Sequence, residues 1–392
     1  MFADPNQTGN PLSHENRIDL IRPDAPTLAQ RGPCAVGVQT HELDLLPVAE
    51  LCPRRLTVEM WYPAVEGTKA GTVYDTLLRD GVTPVRYAGS ACRDAVPAQG
   101  PGAPFVVLSH GYPGNRYLMS HLAESLAAKG YIVAAPDHAG STYDDQQDFG
   151  LTLLHRPLDQ RGLIDAVAGM GGPLAALADT ANTAVIGYSM GGYGAVVLGG
   201  AGLSTSALTY KGAPPDGALA RHIAGSAAHD ALLDPRIKAI VPIGPWGNAA
   251  GMWDAAGLAG LRVPMLLIAG TKDEVSNYGA MRRIFTGATQ IERQMLSFTD
   301  AGHNAAAPVP APHESWAHSD ALGWAPFAHY ADPVWDTCRM NNIAQHFVAA
   351  FLARHLKGDQ AAGAFLNGTD WPGFAPQTAR GLTLEHLPTG AF

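Results

Sequence analysis

The chain has 392 residues, 46% of them hydrophobic and only 16% charged, with 44 glycines and 30 prolines. That length and apolar content suit one large domain with insertions or two modest ones, and they exclude global disorder. A net charge of −9 is poor equipment for holding a phosphate backbone and counts against nucleic-acid binding. No apolar run approaches the ~18 residues of a membrane span. Met1–Leu20 carries Asp4, His14, Glu15, Arg17 and Asp19 and has no apolar leader region. The expectation is a cytoplasmic protein with no membrane partner, or an exported one if a leader has been removed. Cys34, Cys52, Cys92 and Cys338 are scattered without a CxxC pair, so neither a disulfide framework nor a zinc site is read from them. A Cys34–Cys52 bridge stays open for an oxidising compartment.

In chain order, residues 1–33 read as an extended arm, interrupted by Pro5, Pro11, Pro23, Pro26 and Pro33. Residues 34–392 read as one domain. Ala35–Asp44 and Arg55–Tyr62 have strand patterning, and residues 67–103 follow as a long excursion with little periodicity. From Pro104 the rhythm becomes regular. Phe105–Ser109 is a continuously apolar strand, Arg116–Lys129 a helix, and Tyr131–Ala135 a second buried strand. Pro157–Met170 is helical, Thr183–Ile186 is a strand, and a helix follows over Gly192–Leu198. Ile237–Ile243 and Pro264–Ala269 are further buried strands, with Ile291–Phe298 as a candidate last one. Cys338–Leu356 is an amphipathic helix. Strands that alternate with helices and are mostly continuously apolar mean a parallel sheet covered on both faces. The expected fold class is α/β.

The segment TAVIGYSMGGYG carries the chemistry. A G-x-S-x-G is weak evidence in so glycine-rich a chain, but here a buried strand enters it and a helix leaves it, as a nucleophile elbow requires. Ser189 would stand above the carboxyl edge of the sheet. Serine needs a base oriented by a third group. Asp273 follows at the end of an apolar strand and His303 just after the last one, 84 and 30 residues further on in turn. The order Ser, Asp, His is that of α/β-hydrolase triads. Glu274 and Asp300 are rivals to Asp273 for the acid. The backbone N–H groups of Met190 and of Tyr112, in His110-Gly111-Tyr112-Pro113-Gly114, are the candidate oxyanion donors. His110 reads as structural. His313, His318 and His329 have no carboxylate spacing that makes a metal site, and Asp144-Asp145 reads as a solvated loop. No metal and no cofactor are expected.

HGYPGNR, YIVAAPDHAGSTYDD and GYSMGGYG together resemble the α/β-hydrolases that group dienelactone-hydrolase-like proteins with platelet-activating-factor acetylhydrolases. Cutinase-like polyester hydrolases have a similar layout. The resemblance spans roughly Arg54–Leu356 and implies an α/β-hydrolase fold, lid-like insertions and a cofactor-free serine esterase. Ser189 stands where dienelactone hydrolases carry cysteine, which favours ordinary ester hydrolysis. Trp246, in IVPIGPWGN, matches a substrate-stacking tryptophan of the polyesterases and reads equally as a core residue. Residues 199–235 and 305–336 are the remaining insertions, the first expected as a mobile cover and the second as a pocket wall. The reading is a serine carboxylesterase acting on small soluble esters, some of them aromatic. A polyester or aromatic diester hydrolase, and an amidase with the same triad, stand as alternatives.

Overall fold

The computed structural model describes residues 16–45, 53–146 and 149–391. Cys52, and with it the Cys34–Cys52 pairing, lies outside them. Twelve strands are present among the described residues. They are β1 Ala35–Leu45, β2 Arg54–Ala64, β3 Thr72–Leu77, β4 Pro84–Gly89, β5 Cys92–Arg93, β6 Ala103–Ser109, β7 Ile132–Pro136, β8 Ala178–Tyr188, β9 Ile237–Ile243, β10 Met265–Gly270, β11 Arg293–Phe298 and β12 Leu382–Leu387. The helices are α1 Ser120–Ala127, α2 Phe149–Gly169, α3 Pro173–Leu177, α4 Met190–Leu198, α5 Ala227–Leu232, α6 Ala255–Leu258, α7 Tyr278–Gly287 and α8 Thr337–Leu356.

Ten strands form one sheet in the order β12-β11-β10-β9-β8-β6-β7-β2-β1-β5. The six from β11 to β7 run parallel, and β12 and β2 flank them antiparallel. All seven residues of β6 are buried, as continuous apolar runs require when both faces are covered. Alternate side chains enter two cores. Val106, Leu108, Ile186, Val241 and Ile268 pack with α1 and α8, while Phe105, Val107, Val185, Ile240 and Leu267 pack with α2, α4 and α7. The architecture is the α/β-hydrolase fold. The arm is docked: Ile18 N–H bonds Ala88 O at 3.0 Å, and Leu28 N–H bonds His346 Nδ1 at 3.1 Å.

Three elements differ from the sequence pattern for physical reasons. The helix expected from Arg116 starts at Ser120, because Asn115 Oδ1 takes Tyr117 N–H and Arg116 N–H is committed to Asp137 Oδ1. Helix α2 begins at Phe149 and continues through Pro157. A proline inside a helix orphans the carbonyl four residues back, and Tyr193 Oη donates to that carbonyl, Leu153 O, at 3.1 Å. The last strand is β12, paired antiparallel to β11.

The 67–103 excursion contains a hairpin, β3–β4, fixed to the body by a buried carboxylate. Glu124, on α1, accepts Tyr74 Oη at 2.5 Å, Ser90 N–H at 2.8 Å and Ala91 N–H at 3.1 Å. Removing a buried acceptor leaves each donor to bear its own desolvation. Glu124→Ala should therefore lower stability by about 3–5 kcal/mol, and Glu124→Gln by clearly less. Urea unfolding monitored by tryptophan fluorescence checks both; equal losses would mean that volume, not hydrogen bonding, sets the cost.

Candidate active site

Strand β8 delivers Ser189 at φ 52°, ψ −109°, a positive φ that a non-glycine residue holds only under constraint. The constraint is visible. Ser189 N–H bonds Ile243 O at 2.8 Å, and Ser189 O accepts Tyr193 N–H at 2.9 Å and Trp246 N–H at 3.0 Å. The turn is tight enough to forbid side chains beside it. A Cβ on Gly187 would overlap the Gly191 carbonyl, and one on Gly191 would overlap that of Ser109.

His303 Nε2 lies 3.0 Å from Ser189 Oγ, and His303 Nδ1 lies 2.8 Å from Asp273 Oδ2. A carboxylate only accepts, so Nδ1 donates and Nε2 is left to accept from the serine hydroxyl. Asp273 is buried, and its other oxygen takes the N–H groups of Val275 and Ser276 at 2.9 and 2.8 Å. The carboxylate is thus fixed on one side by its own turn and faces histidine with the other. Glu274 and Asp300 are exposed and make no bond to His303. The imidazole packs on the Tyr188 ring, 5.1 Å between centroids. Its loop is tied down by Gly302 N–H to Asp332 Oδ2 at 2.7 Å.

Met190 is the first residue of α4, so its N–H belongs to the first-turn donors that have no intrahelical acceptor. Across from it, Gly111 approaches Ser189 so closely that a Cβ would sit 3.3 Å from the serine Cβ. The carbonyls of His110 and Gly111 both accept from Arg156, and Gly111 O also meets His110 Nδ1 at 2.7 Å. Holding the carbonyl of a trans peptide fixes the N–H on its opposite side, here that of Tyr112. Arg156 is fully buried, and burial pushes its pKa down to about 9, which keeps it charged at neutral pH. His138 bridges Ser109 Oγ and Asp159 at 2.8 and 2.9 Å, and Asp159 pairs with Arg54 at 2.8 Å. Burial, aided by the arginines, drives the pKa of His138 well down, so it stands as a neutral strut.

Ser189, His303, Gly111 and Tyr112 share a cavity of about 430 Å³ with Tyr188, Val275, Arg79 and, from 305–336, Trp324, Ala328, His329, Asp332 and Pro333. Residues 199–235 contribute nothing to this lining; they reach the neighbourhood through Tyr210, whose ring packs on Trp246 at 5.8 Å. Trp246 also meets Phe149 at 5.1 Å and Tyr193 at 6.3 Å, behind the serine turn and outside the cavity lining. His329 is bound to Tyr143 Oη at 2.9 Å, and burial lowers its pKa to about 3. His318 is exposed beside Asp320, and among the described residues no three His, Cys, Asp or Glu side chains converge as metal ligands. No described helix is long and apolar enough to cross a membrane.

Trp324, His329 and Asp332 fall within 305–336, expected as a pocket wall, and Arg79 is a cavity residue that the sequence pattern did not single out. The hairpin behind Arg79 had a signal, Asp80-Gly81 between alternating strands, which marks a tight turn.

Residues 72–146 match the family model of platelet-activating factor acetylhydrolase, isoform II. The fold is similar to that of a ferulic acid esterase from Streptomyces cinnamoneus, with TM-score 0.61 and 20% identity over 93% of this chain and 99% of that one. No curated protein matches in sequence. The chain has the α/β-hydrolase fold and resembles the acetylhydrolase family over the segment that holds the hairpin and the His110–Gly114 loop.

Two variants separate the acids around His303. Asp273→Asn, which keeps the shape but frees the histidine to adopt the wrong tautomer, should lower kcat by about 10⁴-fold with the fold intact. Asp300→Asn should stay within about twofold of the parent, because surface changes away from the site cost little. The check is p-nitrophenyl acetate turnover beside a thermal melt, and a silent Asp273→Asn would reassign the acid.

Proposed function

We propose that the protein is a serine carboxylesterase that hydrolyses small esters through an acyl-enzyme on Ser189. The observation that carries this reading is the unbroken chain from Ser189 Oγ through His303 to buried Asp273, opening onto a cavity of about 430 Å³.

The cycle follows from the donors and acceptors in place. Ser189 Oγ attacks the ester carbonyl carbon while His303 Nε2 takes the hydroxyl proton. Asp273 holds the imidazole through Nδ1–H and stabilises the imidazolium. The carbonyl oxygen, now an anion, is received by the N–H groups of Met190 and Tyr112. Collapse breaks the bond to the alcohol oxygen, which leaves with the proton from His303. Water then attacks the acyl carbon, giving its proton to His303. The second tetrahedral intermediate releases the acid, and Ser189 Oγ recovers its proton.

A cavity walled by Trp324, His329 and Pro333 favours a substrate that enters whole over a polymer chain lying across an open groove. Trp246 then serves by backing the serine turn through its backbone N–H and by walling Phe149, without contacting substrate. Ester rather than amide cleavage is the reading that the family resemblance supports.

A fluorophosphonate probe should label the parent and not Ser189→Ala. Across p-nitrophenyl esters, kcat/KM should fall by about tenfold or more between butanoate and palmitate, as a cavity of this size excludes the longer chain. Flat rates along the series, or a matched anilide cleaved as fast as its ester, would overturn the substrate assignment.

A further inference from the structure

The catalytic cavity holds one cationic side chain, Arg79, that the hydrolytic cycle does not use. Arg79 lines the wall and is half-buried. Among the described residues no carboxylate lies within ion-pair reach of its guanidinium, and its one hydrogen bond there is made by the backbone, Arg79 N–H to Tyr330 Oη at 3.1 Å. Arginines elsewhere at similar depth are paired, Arg54 with Asp159, Arg93 with Glu59 and Arg236 with Asp234. Leaving a guanidinium partly desolvated and without an acceptor is costly unless a ligand supplies the anion.

The nearby acids are committed to other partners. Asp80 accepts Val82 N–H at 3.1 Å and Thr83 N–H at 2.9 Å. Asp332, in the same lining, spends its carboxylate on the N–H groups of Gly302, Val334 and Trp335 at 2.7, 2.9 and 2.8 Å. His329 is neutral at working pH and occupied by Tyr143. The positive charge available to a ligand is therefore that of Arg79.

The backbone that carries the arginine is fixed in place. The turn that carries it closes with Leu78 N–H to Thr83 O at 2.8 Å and Gly81 N–H to Leu78 O at 2.9 Å. Gly81 sits so close to the Tyr143 carbonyl that a Cβ would overlap it. Asn115 Nδ2 holds the hairpin from below through Thr76 Oγ1 at 2.9 Å. A guanidinium presents a planar fork that matches a carboxylate, and the turn sets where its side chain starts.

We propose that Arg79 binds a carboxylate carried by the substrate, so that the preferred substrates are acidic esters: one ester bond at Ser189 and one free carboxylate at Arg79. This rests on the esterase reading above. Between the two ends, Pro113, Tyr188, Val275 and Trp324 offer an apolar, partly aromatic surface for the body of the molecule.

Two matched pairs test it, since the charge can ride on either half of the ester. They are 4-acetoxybenzoate against 4-acetoxybenzamide, and the mono-p-nitrophenyl ester of terephthalate against its carboxamide. In the parent enzyme the acid member of at least one pair should lead by about 10- to 100-fold in kcat/KM, mostly through KM, the range of a charge-assisted hydrogen bond. In Arg79→Gln that ratio should collapse towards one, and Arg79→Lys should restore part of it. Equal rates within both pairs, or an Arg79→Gln loss shared equally by acid and amide, would overturn the proposal.

Calorimetric titration of terephthalate into Ser189→Ala keeps the anion site separate from the chemistry. Binding that disappears in Ser189→Ala/Arg79→Gln supports the site even if no ester in the set is hydrolysed, an outcome that would sink the esterase reading alone. Absence of binding to Ser189→Ala would sink the carboxylate site.

Discussion

The site depends on backbone packed against backbone. The turn after β8 and the turn after β6 meet where Gly191 lies against the Ser109 carbonyl, with no room for a Cβ, and where Gly111 lies against Ser189, with room for one only if its neighbours shift. That contact brings Ser189, the first N–H of α4 and the N–H after Gly111 close together. Neither turn holds its shape alone. Ser189 is kept at positive φ by bonds to Ile243, Tyr193 and Trp246. The facing turn is kept by Arg156, which reaches its carbonyls from inside α2. Strain at one residue is thus offset by satisfied hydrogen bonds on several elements.

The polar layer beneath that contact explains why so much charge is buried in a chain of low charge content. Arg156, Asp159, Arg54 and His138 form one connected set, and two of its members, Arg156 and His138, bond to residues of the oxyanion turn or its approach. Low local dielectric strengthens such a network when its members are paired and penalises it when one is missing. It acts as a scaffold for direction, fixing where two carbonyls point.

What was legible in the sequence follows from this. The parallel core was readable because strands buried on both faces are continuously apolar, as in Phe105–Ser109 and Met265–Ala269. Ser189, Asp273 and His303 could be picked out because each sits just past such a strand, where chain order alone ranks the candidates. Other features were hidden by long-range compensation. The pattern opens a helix at Pro157, whereas it begins at Phe149, with Tyr193, far along the chain, supplying a donor to Leu153 O. Strand β12 alternates plainly, but its partner β11 ends more than eighty residues earlier, and nothing local says where it pairs. Arg79 leaves no trace in periodicity, because the information in 67–103 lies in a turn, Asp80-Gly81. Residues 305–336 line the cavity beside the serine, and 199–235 contribute nothing to that lining.

The β3–β4 hairpin stands outside the ten-stranded sheet as a two-stranded unit of its own. Its attachment points, Glu124 and Asn115, lie on the body, and its tip alone reaches the cavity. The tip is therefore a part of the cavity wall that does not belong to the sheet, and a change of side chain there leaves the turns that hold Ser189 and His303 as they are.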